Sequence, residues 1–356
     1  MTCMFYCFVF ITSLYACMII AYAVGWYKQH SCSQSKTKPS IKVTVVVALR
    51  NESEHLPFLL KGLQQQTYLH FEVLLINDHS TDNSKTVFDS FLDSRFRWID
   101  AVEKGKKAAI AQAVSIASGD VILTTDADVT LPATWIEKMV LAYQDRQVDL
   151  LIGPVSMIQA TAFELLDYWS LEGTTIGSAS IQNPVLCSGA NLAFSPSWYQ
   201  KCRPYLHFDV PSGDDMFLLE ATRRLKGKIY AIKDKQATVL IQGCSSLSSF
   251  LMQRARWAGK APRYTDAAVI TAALMVACMQ IIGVASMIIA FWQPVFVGFI
   301  LAKSVVDLLL VGQVALYHQT YKPMLFYPFV SILYPLYVII VLILTLFPLQ
   351  WKQRKL

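Results

Sequence analysis

Four short polar signatures lie in order along the chain: Asn77-Asp78, Asp126-Ala127-Asp128, Gly213-Asp214-Asp215 and Gln253-Arg254-Ala255-Arg256-Trp257. Their residue types suit transfer of a group from a nucleoside diphosphate. A carboxylate at Asp78 can accept the imide N–H of uracil or the matching edge of another base. Asp126 and Asp128, at i and i+2, point to the same side of an extended chain. There they can hold a hard divalent cation through oxygen while leaving positions for diphosphate oxygens and water. Asp215 is a general-base candidate, since an in-line displacement at a sugar carbon needs a carboxylate within reach of the acceptor hydroxyl. Arg256 can clamp a diphosphate, and Trp257 can stack beside a sugar or acceptor.

Each signature also has a plainer explanation. Asp82 alone accounts for a turn before the helix that begins at Ser84. Acids in the first turn of a helix are favourable in any case, which covers Asp214 and Asp215 equally. The Gln253–Trp257 segment lies on an amphipathic stretch with Leu247, Phe250 and Leu251, so its arginines and tryptophan also suit a helix lying at a membrane surface.

The elements that must position these residues are legible between them. Lys42–Ala48 reads as a buried strand, Glu54–Gln65 as a helix and Phe71–Ile76 as a second strand ending at Asn77-Asp78. A helix over Ser84–Leu92, a short strand over Phe96–Ile99 and a helix over Lys106–Ala117 follow. Val121–Thr125 is a strand that stops at Asp126. Pro132 suits the first turn of a helix running through Tyr143, and Leu150–Ile152 is a further strand. This alternation predicts an α/β fold with a doubly wound, mostly parallel sheet, whose ligands bind beyond the carboxyl ends of the strands. After about residue 155 the pattern turns irregular, and the Phe163, Tyr168 and Trp169 group reads as a buried amphipathic helix or as the acceptor's approach.

The chain is 356 residues, 54% hydrophobic and only 16% charged, a balance that points to membrane segments. Residues 1–27, 267–302 and 323–351 are uncharged. The first is long enough to span and lacks the basic start and small-residue cleavage site of a signal peptide, so it reads as an anchor. Two or three spans follow within 267–350. The stretch from Pro294 to Tyr317 is interrupted by Lys303 and Asp307, spaced to pair on one helix face, and a re-entrant segment near Pro328 or Pro335 is the alternative. Four spans in all set the basic Lys352–Lys355 tail against the positive-inside tendency. Lys28, Lys36, Lys38, Arg254, Arg256, Lys260 and Arg263 flank the polar region. It is therefore expected on the cytoplasmic side of a membrane such as a bacterial inner membrane. The same juxtamembrane placement argues against nucleic-acid binding. Eight cysteines without a close metal-type pair read as reduced thiols.

Taken together, Val47-Ala48-Leu49-Arg50-Asn51-Glu52, Asn77-Asp78-His79-Ser80-Thr81-Asp82, Asp126-Ala127-Asp128, Asp214-Asp215 and Gln253-x-x-Arg256-Trp257 resemble a known set. Over residues 42–263 the chain resembles the membrane-bound branch of family 2 glycosyltransferases, which includes cellulose, chitin and hyaluronan synthases and ceramide glucosyltransferase. The resemblance implies a GT-A (Rossmann-like) nucleotide-sugar domain with N- and C-terminal transmembrane helices, and inversion at the sugar carbon. It implies Mg²⁺ or Mn²⁺ at Asp128 and Asp126, with Asp126 also near the ribose and donor. Glu52 and Asp78 fall to the nucleoside, Lys106 to the donor, and Asp215 to the base. Gln253, Arg256, Trp257, Asp214 and Gly189 fall to the diphosphate and acceptor. The chain departs from the pattern at Asn77, where an aspartate is usual, at His79, where glycine is usual, and at Ala111, where asparagine is frequent. Histidine tolerates a left-handed backbone better than most residues.

The expected organisation is an anchor over 1–27, the catalytic domain over 40–245, an interfacial helix over 246–264 and spans within 267–350. The few spans favour transfer of a sugar, expected from a UDP-sugar, to a lipid or lipid-linked glycan acceptor. A small processive polysaccharide synthase, completed by an oligomer or auxiliary chain, is the alternative, and an inactive scaffold is the third reading.

Overall fold

The computed structural model describes residues 2–29, 41–210, 212–347, 350–351 and 354–355. Cys32, Lys36 and Lys38 lie outside the described residues, as do Lys352 and Gln353 of the basic tail. The chain divides into two compact units. One comprises Met1–Gln29, Gln159–Leu186 and Gly243–Lys355, and the other is built from His30–Ile158 and Cys187–Gln242. The polar domain expected to run unbroken over 40–245 thus contributes residues 159–186 to the first unit.

In chain order the elements are α1 (Thr2–Lys28), β1 (Val43–Leu49), α2 (Leu56–Gln64), β2 (Phe71–Asn77), α3 (Ser84–Asp89), β3 (Phe96–Asp100), α4 (Lys106–Ile116), β4 (Val121–Thr125), β5 (Val129–Thr130), α5 (Trp135–Arg146), β6 (Leu150–Ile152) and β7 (Val155–Ile158). There follow α6 (Ala162–Ser180), β8 (Leu192–Phe194), α7 (Pro196–Cys202), α8 (Asp214–Arg224), β9 (Ile229–Ala231), β10 (Val239–Gln242), α9 (Leu247–Ala258), α10 (Ala267–Ile289), α11 (Val297–His318) and α12 (Tyr327–Leu344).

The α/β unit is organised by a seven-stranded sheet of order β3-β2-β1-β4-β8-β6-β9, with a three-stranded sheet β5-β10-β7 beside it. The β-branched run of β1 suits it to an interior strand, buried on both faces and paired in parallel with β2 and β4. Val43, Val45 and Val47 have no exposed surface, nor do Leu74, Leu75, Ile122 and Leu123 on the flanking strands. From α4, Ala109, Ile110 and Ala113 are buried, as are Trp135, Ile136 and Met139 of α5. β8 runs antiparallel to both β4 and β6, a reversal that three short apolar residues give no sign of in sequence. Pro132 does not start α5: the helix begins at Trp135, behind a turn in which Pro132 O accepts from Trp135 N–H and from the Gln66 amide.

The other unit is helical. Among the described residues, four helices are long and apolar enough to cross a membrane: Thr2–Lys28, Ala267–Ile289, Pro294–His318 and Lys322–Leu344. The chain is therefore an integral membrane protein with one such helix at its N-terminal end and three at its C-terminal end. Lys303 and Asp307 pair along α11 at 2.6 Å, and the Tyr15 hydroxyl of α1 donates to the same carboxylate at 2.6 Å. That pairing lets α11 carry both charges in an apolar setting. Pro335 sits inside α12, which continues past it to Leu344.

The region after residue 155, irregular in sequence, holds α6, a 19-residue helix that matches the buried-helix reading of Phe163, Tyr168 and Trp169. Its start is fixed by a reciprocal cap, in which Thr161 N–H donates to Glu164 Oε2 at 2.8 Å and Glu164 N–H to Thr161 Oγ1 at 3.3 Å. Glycines let α1 and α6 touch backbone to backbone: a Cβ on Gly177 would lie 2.3 Å from Tyr22 O, and one on Gly25 2.1 Å from Gly177 O. Gly177→Ala is accordingly expected to force the helices apart and cost about 1–3 kcal/mol. Thermal unfolding of the detergent-solubilised protein checks this, and an unchanged midpoint would refute the close contact.

Candidate active site

Because β2, β1 and β4 are adjacent and parallel, the loops that follow them open on one edge of the sheet. β8 is antiparallel, so the segment preceding it, with Gly189, arrives at that same edge; Thr124 Oγ1 of β4 donates to Gly189 O at 2.9 Å. The sheet thus gathers Glu52, Asp78, Asp126, Asp128 and Gly189, and a cation then draws in the start of α8.

The loops after β1 and β2 are laced together. Asn51 N–H donates to Ser80 Oγ at 3.0 Å, Glu52 N–H to Ser84 Oγ at 3.0 Å, and Ser53 N–H to Asp82 Oδ2 at 2.9 Å. Burial pushes the Asp82 carboxyl up, but hydrogen bonds from Ser84 and Ser53 prevail and hold it at about 2. Asp82 is therefore the turn former that its plainer reading expects. Glu52 is buried, with Oε2 3.1 Å from His55 Nδ1. Asp78 is only 4% exposed: its Oδ1 accepts from Gly105 N–H at 3.0 Å and lies 3.3 Å from His79 Nδ1. His79 adopts φ 57°, the left-handed turn that histidine tolerates, and Gly105, at φ 110°, brings its N–H to Asp78 in a conformation open to glycine.

Lys106, the residue after Gly105, is the hub. Its Nζ lies 2.6 Å from Asp126 Oδ1 and 3.3 Å from Asp214 Oδ2. Burial alone would lower its pKa, but the charges of Asp126, Asp214 and Asp215 outweigh burial and raise it above the usual lysine range. Gly213, at φ 90°, turns the chain into α8, so that Asp214 and Asp215 form its first turn. Asp215 Oδ1 accepts from Met216 N–H at 2.8 Å, and Oδ2 from Gly189 N–H at 3.3 Å. At Gly189 a Cβ would lie 2.8 Å from Asp214 Oδ2 and 3.3 Å from Lys106 Nζ, so any side chain there would push these two charged groups out of their present positions. Asn191, at the end of the same segment, is instead a wholly buried brace. It accepts from Trp135 Nε1 and donates to Pro154 O and Ala237 O.

The Asp126–Asp128 segment differs from its expected geometry. It forms the turn between β4 and β5 rather than extended chain, so the two side chains are not held to one side by strand alternation. Asp126 is engaged by Lys106, whereas Asp128 is exposed and has no hydrogen-bond partner among the described residues. No group of three or more His, Cys, Asp or Glu side chains suited to a metal ion occurs among the described residues. The donor set nevertheless fits a hard divalent ion of the Mg²⁺ kind, which takes one or two carboxylates and completes its shell with substrate phosphates and water.

Gln253, Arg256 and Trp257 fall in the helical unit, on α9. All three are partly exposed, whereas Ala255 and, unusually for a charged residue, Arg254 are buried; the sequence gives no reason to single Arg254 out. Its Nε donates to Asp167 Oδ2 of α6 at 2.7 Å, and its guanidinium stacks 4.3 Å from the Trp257 ring centroid and 4.7 Å from that of Phe250. Phe163 and Tyr337 pack on Phe250, while Tyr168 and Trp169 are buried in α6. The one sequence signal for this arrangement is Asp167 itself, an acid inside an otherwise apolar and aromatic run.

Residues 44–200 match the family model described as glycosyl transferase family 2. Over 114 residues the chain is 32% identical to glycosyltransferase GlyG of Streptococcus pneumoniae serotype 4, covering 31% of this chain and 38% of that protein. It is also 32% identical over 113 residues to the undecaprenyl-phosphate 4-deoxy-4-formamido-L-arabinose transferase of Serratia proteamaculans, covering 30% and 35%. The matched region thus spans well under half of these curated relatives. Among solved structures, mannosyltransferase PcManGT from Pyrobaculum calidifontis, in complex with GDP-Man and Mn²⁺, aligns over 96% of this chain and 98% of its own. The TM-score is 0.56 and the identity 18%. That likeness shows the fold: an α/β GT-A-like domain with apolar helices at both ends of the chain.

Proposed function

We propose that the protein is a membrane glycosyltransferase that moves a sugar from a nucleoside diphosphate, expected to be UDP, to a lipid or lipid-linked acceptor. The observation that carries this reading is the cluster of Lys106 with Asp126 and Asp214, next to Asp215, at the carboxyl edge of a GT-A-like sheet. The membrane-crossing helices and the similarity to an undecaprenyl-phosphate transferase support an acceptor already in the bilayer.

In this reading Glu52 and Asp78 serve the nucleoside, and Lys106 meets the negative charge of the donor. Asp215 takes the proton of the acceptor hydroxyl as its oxygen bonds to the sugar carbon. The bond from that carbon to the diphosphate breaks on the opposite face, which inverts the centre. Gly189 N–H fixes the Asp215 carboxylate for that task. Asp214 and Gly189 line this end, and Gln253, Arg256 and Trp257 take the diphosphate and acceptor. Asp128, with Asp126, would hold Mg²⁺ or Mn²⁺, which when bound offsets charge on the leaving diphosphate.

A screen of nucleotide sugars against a total membrane lipid extract, with products identified by mass spectrometry, tests the proposal. One sugar per lipid is the expected product. A ladder of polymer would favour the processive alternative, and no metal-dependent product from any donor would sink both.

A further inference from the structure

The N-terminus of α4 carries two consecutive lysines that serve different partners. Lys106 Nζ goes to the carboxylates of Asp126 and Asp214. Lys107 is only 4% exposed. Its Nζ donates to His207 O at 2.5 Å and to Leu206 O at 3.4 Å, and it lies 4.6 Å from the ring centroid of Phe217. Lys107 therefore grips the chain on both sides of Gly213: two carbonyls ahead of it, and a ring of α8 about one turn beyond it.

Burying an ammonium is costly unless its N–H groups find acceptors, and an apolar side chain would fill the same space at less cost. Three features say what the charge does there. His207 holds φ 48°, a left-handed conformation that a non-glycine residue keeps only when its surroundings impose it, and its ring packs 4.8 Å from that of Phe217. Gly213 turns the chain at φ 90° immediately before α8, which leaves the entry of that helix to be fixed by other contacts. Close packing fixes it only in part, because a small cavity lies between α4, α7 and α8, with Lys107, Ile110, Tyr199, Leu206, Asp214 and Leu218 among its lining.

We propose that Lys107 is a positioning residue for Asp215. By holding Leu206, His207 and Phe217 it sets the start of α8, and with it the Asp215 carboxylate, where the acceptor hydroxyl can be met. A misplacement on the order of 1 Å is enough to cost about 100-fold in rate. The inference rests on the glycosyl-transfer reading for the role of Asp215, but the placement of α8 can be read without turnover.

The experiment uses the full-length protein in lipid nanodiscs. Lys107→Met removes the ammonium and keeps an unbranched stem, so the space around it stays filled, while Lys107→Arg returns a cation with N–H donors. Hydrogen exchange of the first amides of α8 reads its placement, and transfer kinetics read kcat and the donor KM. In Lys107→Met those amides are expected to exchange about tenfold faster, the loss of a hydrogen bond from a charged group, while α10, α11 and α12 exchange as in the wild type. The kcat is expected to fall by about 10–100-fold with the donor KM unmoved, and Lys107→Arg is expected to regain most of both losses. Wild-type exchange or wild-type kcat in Lys107→Met overturns the proposal. So does a Lys107→Arg protein whose α8 amides are protected again but whose kcat stays low. Faster exchange in Lys107→Met, beside a wild-type protein that transfers no sugar, supports the tether and removes the glycosyl-transfer reading instead.

Discussion

Asp215→Asn is expected to lower sugar transfer by about 10²–10⁴-fold, the usual contribution of a positioned general base, while nucleotide binding stays close to that of the wild type. The substitution is nearly isosteric. Asparagine keeps one oxygen, which can retain the shorter bond from Met216 N–H and so hold the start of α8, while the longer bond from Gly189 N–H is given up. The larger loss is the capacity to take a proton. Single-turnover transfer with labelled donor, beside nucleotide affinity by calorimetry, separates the two effects. The size of the loss also reports on the acceptor. A hydroxyl must shed its proton as it attacks, whereas a phosphate monoester has a second pKa of about 6 and arrives largely ionised at neutral pH. A loss of only a fewfold would therefore remove Asp215 from the base role and point to a phosphate oxygen as the nucleophile.

The sheet was legible because β1, β2 and β4 are buried on both faces, which forces apolar, β-branched runs that end abruptly at Asn77-Asp78 and Asp126. Their convergence on one edge follows from parallel pairing alone. β8 was not legible, since three residues between glycine- and serine-rich segments give no periodicity, and only its antiparallel pairing brings Gly189 to the site. The buried helix read at Phe163, Tyr168 and Trp169 is α6, but its extent was not legible. Buried among other helices, it is apolar on most sides, and glycines such as Gly173 and Gly177, which read as irregular chain, are where α11 and α1 approach it. Among the charges, Asp126 stood out by its spacing from Asp128, but its tie to Lys106 depends on residues 20 positions apart in the chain. Asp167 and Arg254 are separated by 87 positions and by several elements, so no local pattern could join them.

Lys106→Ala is expected to move two quantities in opposite directions. Sugar transfer falls by about 10²–10³-fold, the range seen when a preorganised donor to developing negative charge is removed. The affinity for Mn²⁺ in the absence of nucleotide rises. Both follow from one geometry: Nζ sits 2.6 Å from Asp126 and 3.3 Å from Asp214, so without substrate the lysine already neutralises carboxylates that a divalent ion would use. A metal arriving alone must displace that ammonium, whereas a metal arriving with a diphosphate offers the lysine new oxygens in exchange for the old. Removing the lysine takes one positive charge away from Asp126, Asp214 and Asp215, a change that favours binding of a divalent ion. The pH dependence has a definite sign. The Lys106 pKa is raised by these carboxylates, so its contribution to stability is complete below the unfolded lysine value of about 10.4 and is lost as pH rises through the elevated folded value. The difference in melting temperature between wild type and Lys106→Ala should therefore persist through neutral pH and shrink only under strongly alkaline conditions. Titration calorimetry with Mn²⁺ alone, together with transfer kinetics, reads both arms. Weaker metal binding in the variant would mean that Lys106 does not compete for Asp126, and the hub would then be a structural brace rather than the donor's charge partner.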